Sequence, residues 1–87
     1  MKTFTFTIIT PENVFVREEV SFVVVPGYSG ELGLLPGHMN LIALLAPGNV
    51  RIVSGDNRKT QIVIAAGIVD IGPAQTTLYT TMAREAE

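Results

Sequence analysis

The chain has 87 residues, six lysines and arginines against eight aspartates and glutamates, a formal net charge of −2 and no cysteine. That length makes one domain near the lower limit for unaided folding, and the missing thiols exclude a disulfide framework or a thiolate metal site. The mildly acidic balance, with its cations scattered, argues against nucleic acid as a partner, because phosphate binding relies on a basic surface.

No secretory signal is legible, since Lys2 leads into an alternating stretch rather than a continuous apolar one. Residues 2–9 place Phe4, Phe6 and Ile8 on one face and Thr3, Thr5 and Thr7 on the other, which predicts a strand with one buried face. Residues 11–13 turn, and 14–16 form a short strand. The next strand covers 18–25, with Val20, Phe22 and Val24 sharing a face. Pro26-Gly27 ends it, because proline cannot donate to a ladder and glycine permits a turn. Residues 27–37 hold four glycines and read as a shaped loop with brief strand pieces. Residues 41–45 are apolar on both faces, Pro47-Gly48 turns, and 49–53 form a strand. Residues 54–59 are a polar hairpin connection around Gly55-Asp56-Asn57. Residues 60–66 return as a strand, Ala66-Gly67 is a tight bend or bulge, 68–71 continue, Gly72-Pro73 turns, and 75–81 close the set. Short strands broken by frequent turns predict an all-β fold, an antiparallel sandwich over residues 1–82. Residues 83–87 carry helix formers and read as a C-terminal tail or the first turn of a helix.

Catalytic patterns fail on inspection. Gly27-Tyr28-Ser29-Gly30-Glu31 breaks the Gly-x-Ser-x-Gly frame of a hydrolase elbow, because Glu31 stands where glycine is needed. His38 is the only histidine, whereas zinc sites draw on several ligands. It is either a solvated residue after the Pro36-Gly37 turn or a partner contact. Gly30-Glu31-Leu32-Gly33 matches a bare Gly-x-x-Gly, but an acidic residue does not suit a phosphate clamp. Glu18 and Glu19 are adjacent and face opposite ways on a strand, so they cannot share a substrate. Asp70, between Val69 and Ile71, is an outward strand residue or a polar contact in an interface. No catalytic residue, cofactor or metal is expected.

Interaction is the remaining reading. From Val20 to Val53 the only formal charges are Glu31 and Arg51. Segments 41–45 and 62–66 are apolar on both faces, although a sandwich buries only one face of each sheet. Their outward residues therefore predict an exposed apolar patch of the kind that marks a binding surface. The longest apolar runs, 41–46 and 62–66, fall far short of the ~20 residues of a spanning helix, so direct membrane insertion is not expected.

The run Gly30-Glu31-Leu32-Gly33-Leu34-Leu35-Pro36-Gly37-His38, followed by an apolar segment and Pro47-Gly48-Asn49-Val50-Arg51-Ile52, resembles the epsilon subunit of bacterial and chloroplast rotary ATP synthases. Thr10-Pro11-Glu12 with Val14-Phe15, and Ala66-Gly67-Ile68-Val69-Asp70-Ile71, agree with it, so the likeness covers essentially the whole chain. The resemblance implies a flattened sandwich of about ten short strands that binds the gamma subunit and rests on the polar loops of the membrane c-ring. It implies a non-catalytic rotor subunit, peripheral on the cytoplasmic face of the bacterial inner membrane. Carried across, Tyr28, Ser29, Gly30, Glu31 and Leu32 are the expected c-ring contact, with Glu31 opposite the ring's arginine. His38, Met39, Leu41, Ile42, Ala43 and Asp70 are the expected gamma contact. Met39-Asn40 stand where the family often has a small residue and proline. The family's C-terminal helical hairpin, which can block ATP hydrolysis and in some members binds ATP, has no counterpart before Glu87; of a natural short form and a trimmed one, the short form is the expectation. The alternative to the rotor subunit is a stand-alone β-sandwich adaptor.

Overall fold

Alternation decides the first strand. In the computed structural model, which describes residues 2–37 and 40–86, β1 (Phe4–Ile9) buries Phe4, Phe6 and Ile8 to 2% exposure or less. Eight further strands follow among the described residues: β2 (Val14–Gly27), β3 (Gly30–Leu34), β4 (Leu41–Leu45), β5 (Gly48–Ser54), β6 (Lys59–Ile64), β7 (Gly67–Ile71), β8 (Gln75–Thr80) and β9 (Ala83–Glu85). No helix forms there, and the fold is an all-β sandwich.

The two layers share one strand. The first half of β2 pairs with β1, which pairs with β8, then β7, then β4. The second half of β2 pairs with β3 on one side and β5 on the other, and β5 continues to β6 and β9. The segments predicted as 14–16 and 18–25 are one continuous strand that takes part in both layers. A bulge between Val20 and Phe22 makes this possible, since an extra residue kinks the strand and shifts its register. It also corrects the predicted face. Val20 points into the core, but beyond the bulge Val23 and Val25 point inward, while Phe22 and Val24 turn to the other side. The Ser21 hydroxyl donates to the Val53 carbonyl at 3.3 Å and steadies the kink.

Pairing is antiparallel throughout, except that β1 and β8 run parallel. The first strand thus enters beside one made near the end of the chain, a pairing that needs a long connection. The core lies between the layers. Phe6, Ile8, Leu45, Val69, Ile71 and Leu78 of the first sheet face Val23, Val25, Leu34, Val50, Ile52, Ile62 and Ile64 of the second.

The tail is a strand. Ala83–Glu85 adds to the edge of β6, with Ile62 opposite Glu85 and Ile64 opposite Ala83. The Ala86 N–H donates to the Gln61 carbonyl at 3.0 Å. Residues 83–85 carry helix formers, but the open edge of β6 offers backbone bonds that local propensity does not outweigh.

The β5–β6 connection carries a small polar network. The buried Ser54 hydroxyl donates to the Asp56 carboxylate, the Arg58 N–H donates back to Ser54 Oγ at 3.0 Å, and Asn57 adopts the left-handed conformation (φ 70°). The Ser54 hydroxyl, and then the Arg58 guanidinium, hold the Asp56 carboxyl below its usual value near 3.8. A carboxyl depressed in the folded state stabilises it above the unfolded value and loses that contribution as pH falls through the lower, folded value. Acidification below 3.8 is therefore expected to loosen this hairpin. The amides of Asn57 and Arg58 should titrate together in NMR spectra, and Asp56→Asn should abolish that titration.

Candidate interaction surface

The expected c-ring residues form the tip of a hairpin. β2 and β3 close on the pair Gly27 and Gly30, leaving Tyr28 and Ser29 as an exposed two-residue turn. Gly30 takes a φ of +130°, which side chains rarely adopt, so the glycine is required there. Glu31 and Leu32 lie on β3 and point to opposite faces, Leu32 inward opposite Val25 and Glu31 outward opposite Pro26. The predicted loop over 27–37 is thus mostly strand. Glu31 is not free: Arg51 of β5 binds it end-on, Nη1 to Oε2 at 3.0 Å and Nη2 to Oε1 at 3.1 Å.

The expected gamma residues are divided by strand alternation. Ile42 and Asp70 are register partners on the outer face of the first sheet, and both are exposed. Leu41 and Ala43 pair with Ile71 and Val69 and belong to the opposite face. They line one side of a groove of about 390 Å3 whose other side is formed by residues 28–32, with Leu44 at its rim. Leu41 and Ala43 of the expected gamma set therefore meet the expected c-ring residues in one groove, whereas Ile42 and Asp70 lie on the outer face. The Tyr28 N–H donates to the Leu44 carbonyl at 3.2 Å and joins hairpin to β4 across this seam. His38 and Met39 lie outside the described residues.

The outer face of the first sheet carries a feature that no single segment announces. Leu44 of β4 pairs with Ile68 of β7, Ile68 with Tyr79 of β8, Tyr79 with Ile9 of β1, and Ile9 with Val14 of β2. Register partners share a face, and Val14, just past an irregularity between Ile8 and Ile9, is exposed beside Ile9, so these residues form one apolar row across five strands. Leu44, Ile68, Tyr79 and Val14 remain 60%, 43%, 48% and 47% exposed. The next row, Ile42, Asp70, Thr77, Thr7 and Arg17, is mixed, with its acidic and basic members separated by two threonines. The patch predicted from 41–45 is present and larger than expected. The one predicted from 62–66 is not formed, because Ile62 and Ile64 face the core and the outward Val63 is half-buried, with Asn49 and Arg84 as its register partners.

The outer face of the second sheet differs in character. A second groove, of about 370 Å3, runs over Phe22, Val24 and Val53 between Arg51, Lys59 and Gln61. Among the described residues no group of three acidic, histidine or cysteine side chains could hold a metal, and no buried polar side-chain atom lacks a partner. The arrangement suits contact with other macromolecules: an apolar face, and beside it a polar hairpin tip with an oriented carboxylate.

The chain matches the family model described as ATP synthase, Delta/Epsilon chain, beta-sandwich domain, over residues 3–86. It is 40% identical over 86 residues to an ATP synthase epsilon chain of Bordetella avium, covering 99% of this chain and 61% of that one. It is 36% identical to the corresponding protein of Bacillus cytotoxicus, covering 99% of this chain and 64% of that one. The chain therefore spans under two thirds of the length of these relatives. Among solved structures it is similar to a chain of the Euglena gracilis mitochondrial ATP synthase, with a TM-score of 0.90 at 24% identity over 95% of this chain and 53% of that one. A chain of the Tetrahymena thermophila mitochondrial ATP synthase central stalk and c-ring has a TM-score of 0.77 at 13% identity, over 95% of this chain and 66% of that one. These two likenesses concern the fold.

Proposed function

This chain belongs to the ATP synthase delta/epsilon β-sandwich family, and we propose on that footing that it is a non-catalytic subunit of the rotor, joining the gamma subunit to the polar loops of the c-ring. What carries the reading is the apolar row from Leu44 to Val14, lying next to a polar hairpin tip. A single sandwich with two such neighbouring surfaces suits a coupling piece that holds two partners at once. The apolar row provides the gamma-facing surface, with Ile42 and Asp70 at its margin. The tip, residues 28–32, provides the ring-facing surface, with Glu31 directed at a cationic group. Leu41 and Ala43 contribute from the groove between the two. Torque passes through the shared strand β2, which ties both sheets and ends at the hairpin. The protein works as a peripheral subunit on the cytoplasmic face of the bacterial inner membrane, without a cofactor of its own.

The reading is tested by recovery of partners from solubilised membranes on the tagged, folded chain. Gamma and c subunits are the expected partners. A folded chain that recovers neither, or that recovers some unrelated protein in their place, overturns it.

A further inference from the structure

Glu31 and Arg51 are the only charged residues between Val20 and Val53, and the fold brings them together. They are not register partners. Glu31 of β3 lies opposite Pro26, whereas Arg51 of β5 lies opposite Val24, so the fork crosses β2 on a diagonal. It ties an edge strand to the middle of the second sheet. Two parallel N–H···O bonds fix a carboxylate in orientation as well as position. Each oxygen gives one lone pair to Arg51 and keeps another. The two side chains are 47% and 57% exposed, so the pair is a surface one, but its bidentate geometry favours one orientation of Glu31 and leaves it able to accept a further donor from outside.

We infer that Arg51 is the positioning residue for Glu31: it presets the carboxylate of the hairpin so that a cationic side chain of the c-ring loops meets an acceptor already in place. The inference rests on the proposed ring contact. Its physical content is that a free glutamate must lose rotamer freedom on binding, and here that ordering is done in the unbound chain. It also alters the meaning of the simplest experiment. Charge reversal at position 31 would set two cations side by side, so a defect in Glu31→Lys would not separate a lost ring contact from a broken fork.

Three variants of the full chain separate the possibilities, with binding to a purified gamma–c-ring assembly measured at low and high salt. Glu31→Gln tests the ring contact itself and is expected to weaken binding about tenfold, as for loss of a charge-assisted contact. Arg51→Gln tests the inference. On charge alone it should tighten binding, because it unmasks Glu31. Positioning predicts weakening by about fivefold, persisting at high salt, where long-range attraction is screened. In the unbound Arg51→Gln chain the β3 amides should exchange about two- to fivefold faster, the scale of a half-exposed ion pair, with those of β8 unchanged. The paired exchange Glu31→Arg with Arg51→Glu restores a fork of reversed polarity. It should return β3 exchange to its original rate while leaving binding at least as weak as in Glu31→Gln.

Binding by Arg51→Gln that matches or exceeds the original, or unchanged β3 exchange, overturns the inference. If Glu31→Gln still weakens binding in that case, the ring contact stands without it. Full binding by the paired exchange overturns the ring contact and the positioning role together, leaving a structural tie.

Discussion

Replacing Gly67 by alanine should lower the melting temperature of the domain by about 12–24 °C, the shift that corresponds to roughly 3 kcal/mol in a domain of this size. An alanine Cβ at this position would lie 2.2 Å from the Tyr79 carbonyl oxygen and 3.2 Å from its carbonyl carbon. Both atoms are backbone, so no rotamer change relieves the overlap. Gly67 begins β7 and is opposite Thr80 of β8 and Leu45 of β4. The Thr80 hydroxyl donates to the neighbouring Ala66 carbonyl at 3.1 Å and holds the two chains at this spacing. Making room requires β7 and β8 to separate between Val69 and Leu78, both fully buried. The damage would extend outward, because Ile68 and Tyr79, the next register pair, form the middle of the apolar row. Thermal unfolding followed by circular dichroism measures the effect. A fall under about 5 °C, equivalent to roughly 1 kcal/mol, would mean that the strands part easily and that the close approach is not a constraint.

The fold was legible wherever a single strand has one dry face. Phe4, Phe6 and Ile8 alternate with threonines, and they are buried as that pattern requires. The pattern fails where one strand changes partners. Val20, Phe22 and Val24 look like one face, but the bulge beside Ser21 exists only because β2 must turn from β1 toward β5, and no local signal records that need. The strand at residues 83–85 was hidden for a similar reason. Its backbone answers an edge of β6 that is distant in sequence, against its own helical propensity. The candidate surface shows the same division. Residues 41–45 announce an exposed apolar strand, but the row from Leu44 to Val14 depends on four register relations between distant segments. Glu31 and Arg51 could be singled out as the only charges of an uncharged stretch. Their pairing follows from the order β3, β2, β5, which only the folded topology supplies.

Substituting Leu44 by glutamate should cost about a hundredfold or more in affinity for the gamma subunit, close to 2.7 kcal/mol, while leaving the domain folded. The side chain is 60% exposed in the free chain, so a polar replacement removes little core packing and should change stability by no more than about 0.5 kcal/mol. In the complex the same position would place a carboxylate in a dry contact without a partner, and that desolvation is what makes the loss large. Arg84→Gln is the matching control. Arg84 is exposed on β9, opposite Val63 on the second sheet, and its loss should leave gamma binding unchanged. Salt then separates the two proposed contacts. An association carried by the apolar row should be nearly indifferent to ionic strength, whereas one carried by Glu31 should weaken as the Debye length falls from about 10 Å at 0.1 M toward 3 Å at 1 M. Isothermal titration of each variant against gamma, and separately against the c-ring, resolves the two surfaces. Equal losses from Leu44→Glu and Arg84→Gln would show that the apolar row is not the gamma-facing surface, because the two residues lie on opposite sheets.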